Sequence, residues 1–141
     1  MFGNYDYTNF PQVKVKFSKS IENDDDFSLF TNTWKEINDK QKHFSFLFDT
    51  RDVGFVNLKY AKMMSLFIKK MKENENNVLD FTIIIVNSTF VRYCLKLIFS
   101  ITTPIAPVYI LSNEEDEKKL YNKLVNNIHD LSDIDYSFIS N

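Results

Sequence analysis

The chain has 141 residues, 17 of them basic and 19 acidic, for a net charge of −2, a length that suits one domain. Near-neutral charge removes the electrostatic case for a protein that coats nucleic acid. The lone cysteine excludes an intramolecular disulfide framework and a cysteine-rich zinc site, and the two glycines leave little for a phosphate-cradling loop.

Residues 1–11 form an N-terminal segment that is polar and aromatic, without the apolar run of a secretion signal. With the free thiol this places the chain, by expectation, in a reducing cytoplasmic compartment. Val13-Lys14-Val15-Lys16-Phe17 alternates strictly and predicts a half-buried strand with its lysines in water. Asp24-Asp25-Asp26 then opens a helix on which Phe27, Phe30, Trp34 and Ile37 share one face. The aspartates complement the helix dipole and offer a cap.

Phe44 to Phe48 reads as a central strand running into the loop Asp49-Thr50-Arg51-Asp52-Val53-Gly54. Asn57 is placed to cap a second helix, with Tyr60, Met63, Met64, Phe67 and Met71 on one face and its lysines mainly elsewhere. Phe81 to Val86 is continuous and rich in β-branched residues, which suits a strand buried on both faces. Asn87-Ser88-Thr89 offers the cap of a third helix carrying Val91, Cys94, Leu95 and Ile98.

Val91 to Leu111 approaches bilayer length, but Arg92, Lys96, Pro104 and Pro107 favour a helix, a turn and a buried strand over a span. Pro107 opens the last strand, Val108 to Leu111. Ser112-Asn113-Glu114-Glu115 matches a capping box for a fourth helix using Leu120, Leu124 and Ile128. Residues 129–141 form a polar, acidic tail. The order predicts an α/β domain over residues 12–128, with a sheet of at least four largely parallel strands packed by about four helices.

Reactive residues are few. His43 and His129 belong to no spaced ligand motif, and Cys94 falls on an apolar helix face as a small hydrophobe. Asp49 and Asp52 follow a central strand, the place where α/β sheets bind ligands. A phospho-accepting aspartate would need an acidic pair after the first strand, where Phe17-Ser18-Lys19-Ser20 stands instead. Hydrogen bonds within the loop or to Arg51 are the simpler role. Asn87, Ser88 and Thr89 sit where helix amides can hold an anion, though plain helix capping is the simpler account of the same residues. Asp49, Asn87, Ser88 and Thr89 are therefore the candidate ligand or anion site. An enzyme would need Asp49, Asn87 and Ser112 gathered in one pocket. Glu114 to Glu117 reads as a solvated first helical turn. No metal site or cofactor is expected.

The segment from Phe46 to Leu66 resembles STAS domains, the anti-sigma-factor-antagonist family, in which a strand ends in aspartate and a loop enters an Asp-Ser-Ser-Gly-like helix start. Leu47-Phe48-Asp49 is similar to the strand end, Val53-Gly54-Phe55-Val56 to the loop and Asn57-Leu58-Lys59 to the helix start. Ile85 to Leu111 is similar to the next strand, helix and strand, and Ser112 to Leu120 to the closing acidic helix. The family's phospho-acceptor serine would fall at Leu58, which has no hydroxyl. The resemblance therefore implies a scaffold without the phospho-switch.

What it implies is a non-enzymatic module that binds another protein, or itself, through Asn57, Leu58, Lys59 and Lys62, with lysines steering an acidic partner. Ile83 to Leu111 is also similar to the last strand-helix-strand of CRAL-TRIO domains, which implies an alternative as a small lipid or apolar-ligand binder. Neither reading involves nucleic acid or a membrane span.

Overall fold

Strands and helices alternate along the computed structural model, which describes residues 1–141. Their order is β1 (Gly3–Asp6), β2 (Gln12–Phe17), α1 (Asp24–Asp39), β3 (Phe44–Asp49), α2 (Lys59–Lys72), β4 (Leu79–Ile85), α3 (Thr89–Ile101), β5 (Val108–Leu111), α4 (Glu117–Val125) and β6 (Ser137–Ile139). All six strands join one sheet in chain order. Strands β2 to β5 run parallel, while β1 and β6 pair antiparallel as the two edges. The chain is thus an α/β protein with a mostly parallel sheet and four helices.

The period of two divides the sheet's side chains between unequal layers. Val13, Val15, Phe44, Phe46, Phe48, Ile84, Val86, Val108 and Ile110 point to one face. There they meet Phe27, Phe30, Trp34 and Ile37 of α1, Tyr60 and Met71 of α2, and Val91 of α3. Leu47, Phe81, Ile83, Ile85 and Leu111 point to the other, where Leu120 of α4 and Ile134 of the tail cover them. Continuous apolar strands were needed because both faces are covered. No helix is long and apolar enough to cross a membrane.

Several local expectations change. The cap of α1 is Asn23, whose side chain accepts from the Asp26 N–H at 2.9 Å. Asp26 instead accepts from the backbone N–H of Phe2 at 2.7 Å, tying the N-terminal segment to the helix. Asn57 does not cap α2: it accepts from the Lys59 N–H in a tight local turn, and Leu58 occupies the cap position without a side-chain bond. Ser88 does cap α3, accepting from the Val91 N–H.

The capping box at Ser112 is also corrected. Glu114 turns toward Arg51 and Ser112 accepts from Arg92, so α4 starts only at Glu117. Asn113 accepts from the Asp116 N–H within the preceding turn. Glu117 is not solvated: it is buried and accepts from the Gln12 amide at 2.8 Å. Ile128 leaves the apolar face because Asn127 adopts a left-handed conformation, φ 55°. The N–H groups of Asn127 and Ile128 then close on the Leu124 and Lys123 carbonyls, a Schellman ending.

Both terminal segments contribute to the sheet. Residues 1–11 supply β1, and residues 129–141 supply β6 and the buried Ile134. Gly3 permits the first pairing, since a Cβ there would come within 2.8 Å of Cδ1 of Phe30. That ring is wedged against Phe17 and Phe48 and has little room to retreat. Gly3→Ala should therefore destabilise the fold by about 1–3 kcal/mol, read as a lowered urea midpoint. At Gly54 the nearest obstacle is the flexible Lys19 side chain at 3.3 Å, so alanine there should be far milder.

Candidate functional site

The carboxyl ends of β2, β3 and β4 meet the amino-terminal turns of α1, α2 and α3, and this junction holds an apolar pocket of about 140 Å³. Its walls include Phe27, Phe48, Val53, Val56, Tyr60 and Cys94, and its only polar lining residues are Thr50 and Asn57. Thr50 is turned away from the pocket's needs, donating its hydroxyl to the Ile85 carbonyl at 2.7 Å. Burial among these apolar walls pushes the Cys94 thiol up, which keeps it protonated at neutral pH. A cavity of roughly this size accepts a single aromatic ring or a branched alkyl group.

The loop between β3 and α2 forms one wall and also presents the rim. Phe55 is 73% exposed, and its ring stacks on Phe90 of α3 with centroids 5.6 Å apart. Leu58, three residues further on, is also exposed. The loop is anchored by the Gly54 N–H, which donates to the Lys19 carbonyl at 2.8 Å. The expected binding residues gather here: Asn57 lines the pocket, and Lys59 pairs with Asp24 at 3.1 Å while its ammonium lies over the Tyr60 ring. Lys62 is exposed on the next turn of α2.

Asp49 lies on the opposite side of the sheet, the face that carries α4. Its side chain is only 4% exposed and is clamped by Arg51, with Nε donating to Oδ1 at 2.9 Å and a terminal nitrogen to Oδ2 at 2.8 Å. These hydrogen bonds hold its carboxyl below the usual carboxylate range and hold the guanidinium above its own. Arg51 also reaches Glu114 at 3.0 Å, joining the loops that follow β3 and β5. The candidate ligand residues are therefore split: Asp49 is engaged by Arg51, Ser88 by the α3 backbone, and Asn87 and Thr89 are exposed. The trio Asp49, Asn87 and Ser112 forms no common pocket with the apolar walls.

The remaining reactive groups lie apart. His43 pairs with Asp80 at 2.7 Å near the opposite, amino end of the strands. His129 is exposed beyond α4, and Asp52 faces Lys16 at 3.6 Å. No cluster of three or more His, Cys, Asp or Glu residues is arranged to hold a metal ion. From sequence Phe55 reads only as part of a loop, and Phe90 falls within a helix without a role. The available signal was a large aromatic within an otherwise turn-like segment. No protein-family model, curated protein or solved structure matches the chain.

Proposed function

We propose that this chain is a non-enzymatic, STAS-like interaction module whose partner, another protein or a second copy, inserts an apolar side chain beside the start of α2. The observation that carries this reading is the apolar pocket beside which Phe55 is exposed, stacked on the lining residue Phe90. A pocket of about 140 Å³ matches one anchoring side chain, and such anchors dominate binding energy at interfaces. Leu58, exposed three residues after Phe55, offers contact area where the family's serine would stand. Lys62, exposed one turn on, supplies a charged rim of the kind that steers acidic partners.

The same pocket favours one other reading, a small apolar ligand. Its volume suits a ring or short branched chain rather than a whole acyl lipid.

Phe55→Asp tests the first reading, because an exposed side chain can be changed without emptying the core. The variant should keep the wild-type urea midpoint and lose at least about tenfold in affinity for the partner. Sedimentation of the purified chain would detect self-association, and paired affinity capture with wild type and variant would detect another protein. A wild-type monomer that captures nothing, or equal capture by Phe55→Asp, would overturn the proposal. A small apolar molecule retained in native mass spectrometry would select the ligand reading.

A further inference from the structure

The helices α2 and α3 lie side by side over the sheet, packed through Ala61, Ile68 and Ile98. Their carboxyl ends are joined by a hydrogen bond from Lys72 to Thr103. Together they carry seven basic residues and no acidic one, which leaves the rest of the chain at −9. This asymmetry is hidden in the overall charge of −2. The nearest acids in sequence, Glu73 and Glu75, lie past the end of α2.

The outward stripe is amphipathic in an unusual direction. Lys69, Lys70 and Lys96 are exposed and form no ion pair within the chain. Interleaved with them are Leu66 and Tyr93, each 54% exposed, and Ile101 at 49%. Leu66 precedes Lys69 and Lys70 by three and four residues, so these side chains are neighbours on one helix surface. Lysines at the edge of an apolar stripe extend their stems over it and leave their ammonium groups at the level of anionic headgroups.

We infer that this α2–α3 face docks peripherally on an anionic lipid bilayer. The lysines supply the attraction to acidic headgroups, and Leu66, Tyr93 and Ile101 enter the interface. Both α2 and α3 carry basic charge alone, whereas α1, on the other side of α2, bears Asp24, Asp25, Asp26, Glu36 and Asp39 against the single Lys35. That asymmetry orients the molecule, with α4 on the opposite sheet face turned from the membrane, where Lys119 and Lys123 are already paired with Asp133. An acidic protein would satisfy the lysines alone, whereas a bilayer also accommodates the exposed Leu66, Tyr93 and Ile101 set among them. Leu66, Lys69, Lys70, Tyr93, Lys96 and Ile101 differ from the residues at the pocket rim, so the inference does not depend on the partner-binding proposal.

Co-sedimentation of the full chain with vesicles tests it, using phosphatidylcholine alone and equal parts phosphatidylcholine and phosphatidylserine. Binding is expected only to the second and should weaken as salt rises. Lys69→Gln with Lys70→Gln should weaken it roughly tenfold or more, while Lys118→Gln with Lys119→Gln on α4 should leave it unchanged. Leu66→Ser should weaken it by a further few-fold with no change in charge. Each variant is checked for an unchanged urea midpoint. Failure to bind anionic vesicles, equal binding to neutral ones, or equal loss in the α4 variant would overturn the inference. So would salt-sensitive retention on polyglutamate, or self-association through α1, without vesicle binding, because either would assign the lysines to an acidic protein surface.

Discussion

Trp34→Ala is expected to lose about 3–5 kcal/mol of folding stability, enough to leave the chain marginal in water. The indole is 4% exposed and sits where three elements meet. It packs edge-on against Phe46 of β3 at 4.9 Å and Phe67 of α2 at 5.3 Å, with Phe48 and Phe30 completing the contacts at 6.1 and 6.3 Å. Removing it opens a cavity and also forfeits the edge-to-face pairs, each of which adds up to about 1 kcal/mol beyond its burial. Leu29→Ala, on the same helix but largely exposed, should stay within about 0.5 kcal/mol. Urea unfolding followed by far-ultraviolet circular dichroism compares the two, since the sole tryptophan cannot report on its own loss. A loss below about 1 kcal/mol would show that the aromatic layer repacks around the gap, in contrast to the rigid wall that the pocket requires.

The same aromatic layer shows what the linear pattern could and could not reveal. Strands such as Val13 to Phe17 and Phe81 to Val86 were legible because their side chains alternate or run continuously, as the pleat demands. The helix faces around Trp34 and Ile98 were legible from a period near 3.6. Local chemistry that depends on distant groups was not. Asn23 and the three aspartates after it are all good caps, and Asp26 is drawn away by the N–H groups of neighbouring Glu22 and of Phe2, which stands just before β1 and far off in sequence.

Glu117 looked solvated because nothing nearby in sequence shows that Gln12, 105 residues earlier, will bury it. The edge strands carry almost no signal of their own. Strand β1 is four residues long and owes its position to Gly3 and Phe30, while β6 is three residues long. The apolar pocket is the most distributed feature, because its walls come from β2, β3, β4, three helices and the loops between them. The start of α2 was legible as a place for binding. The cavity beside it, and the exposed Phe55 that marks its rim, are products of packing.

Arg51→Met should destabilise the chain by about 3 kcal/mol at neutral pH, and that loss should shrink on acidification. The magnitude lies at the low end for a broken buried pair because the guanidinium is itself 34% exposed. In the wild type, hydrogen bonds from Arg51 depress the Asp49 carboxyl. Its contribution to stability is then full above the unfolded pKa of about 4, and is lost as the pH falls through the depressed folded value. Without Arg51 the carboxyl keeps its burial but loses its main counter-charge, so its folded pKa should rise above the unfolded one. A raised carboxyl opposes folding at neutral pH and is relieved by protonation. The wild type therefore weakens with acid from about pH 4 downward, while the variant is relieved over the range above that, and the gap between them narrows from both sides. Urea titrations at a series of pH values measure this gap. Adding Asp49→Asn to the variant should flatten its pH profile and recover part of the loss, since no charge is then left stranded. A constant gap across pH would assign the effect to lost packing of the arginine stem. A narrowing gap would assign it to the carboxylate that Arg51 holds between the β3 and β5 loops, a tether that keeps the end of β3 fixed behind the apolar pocket.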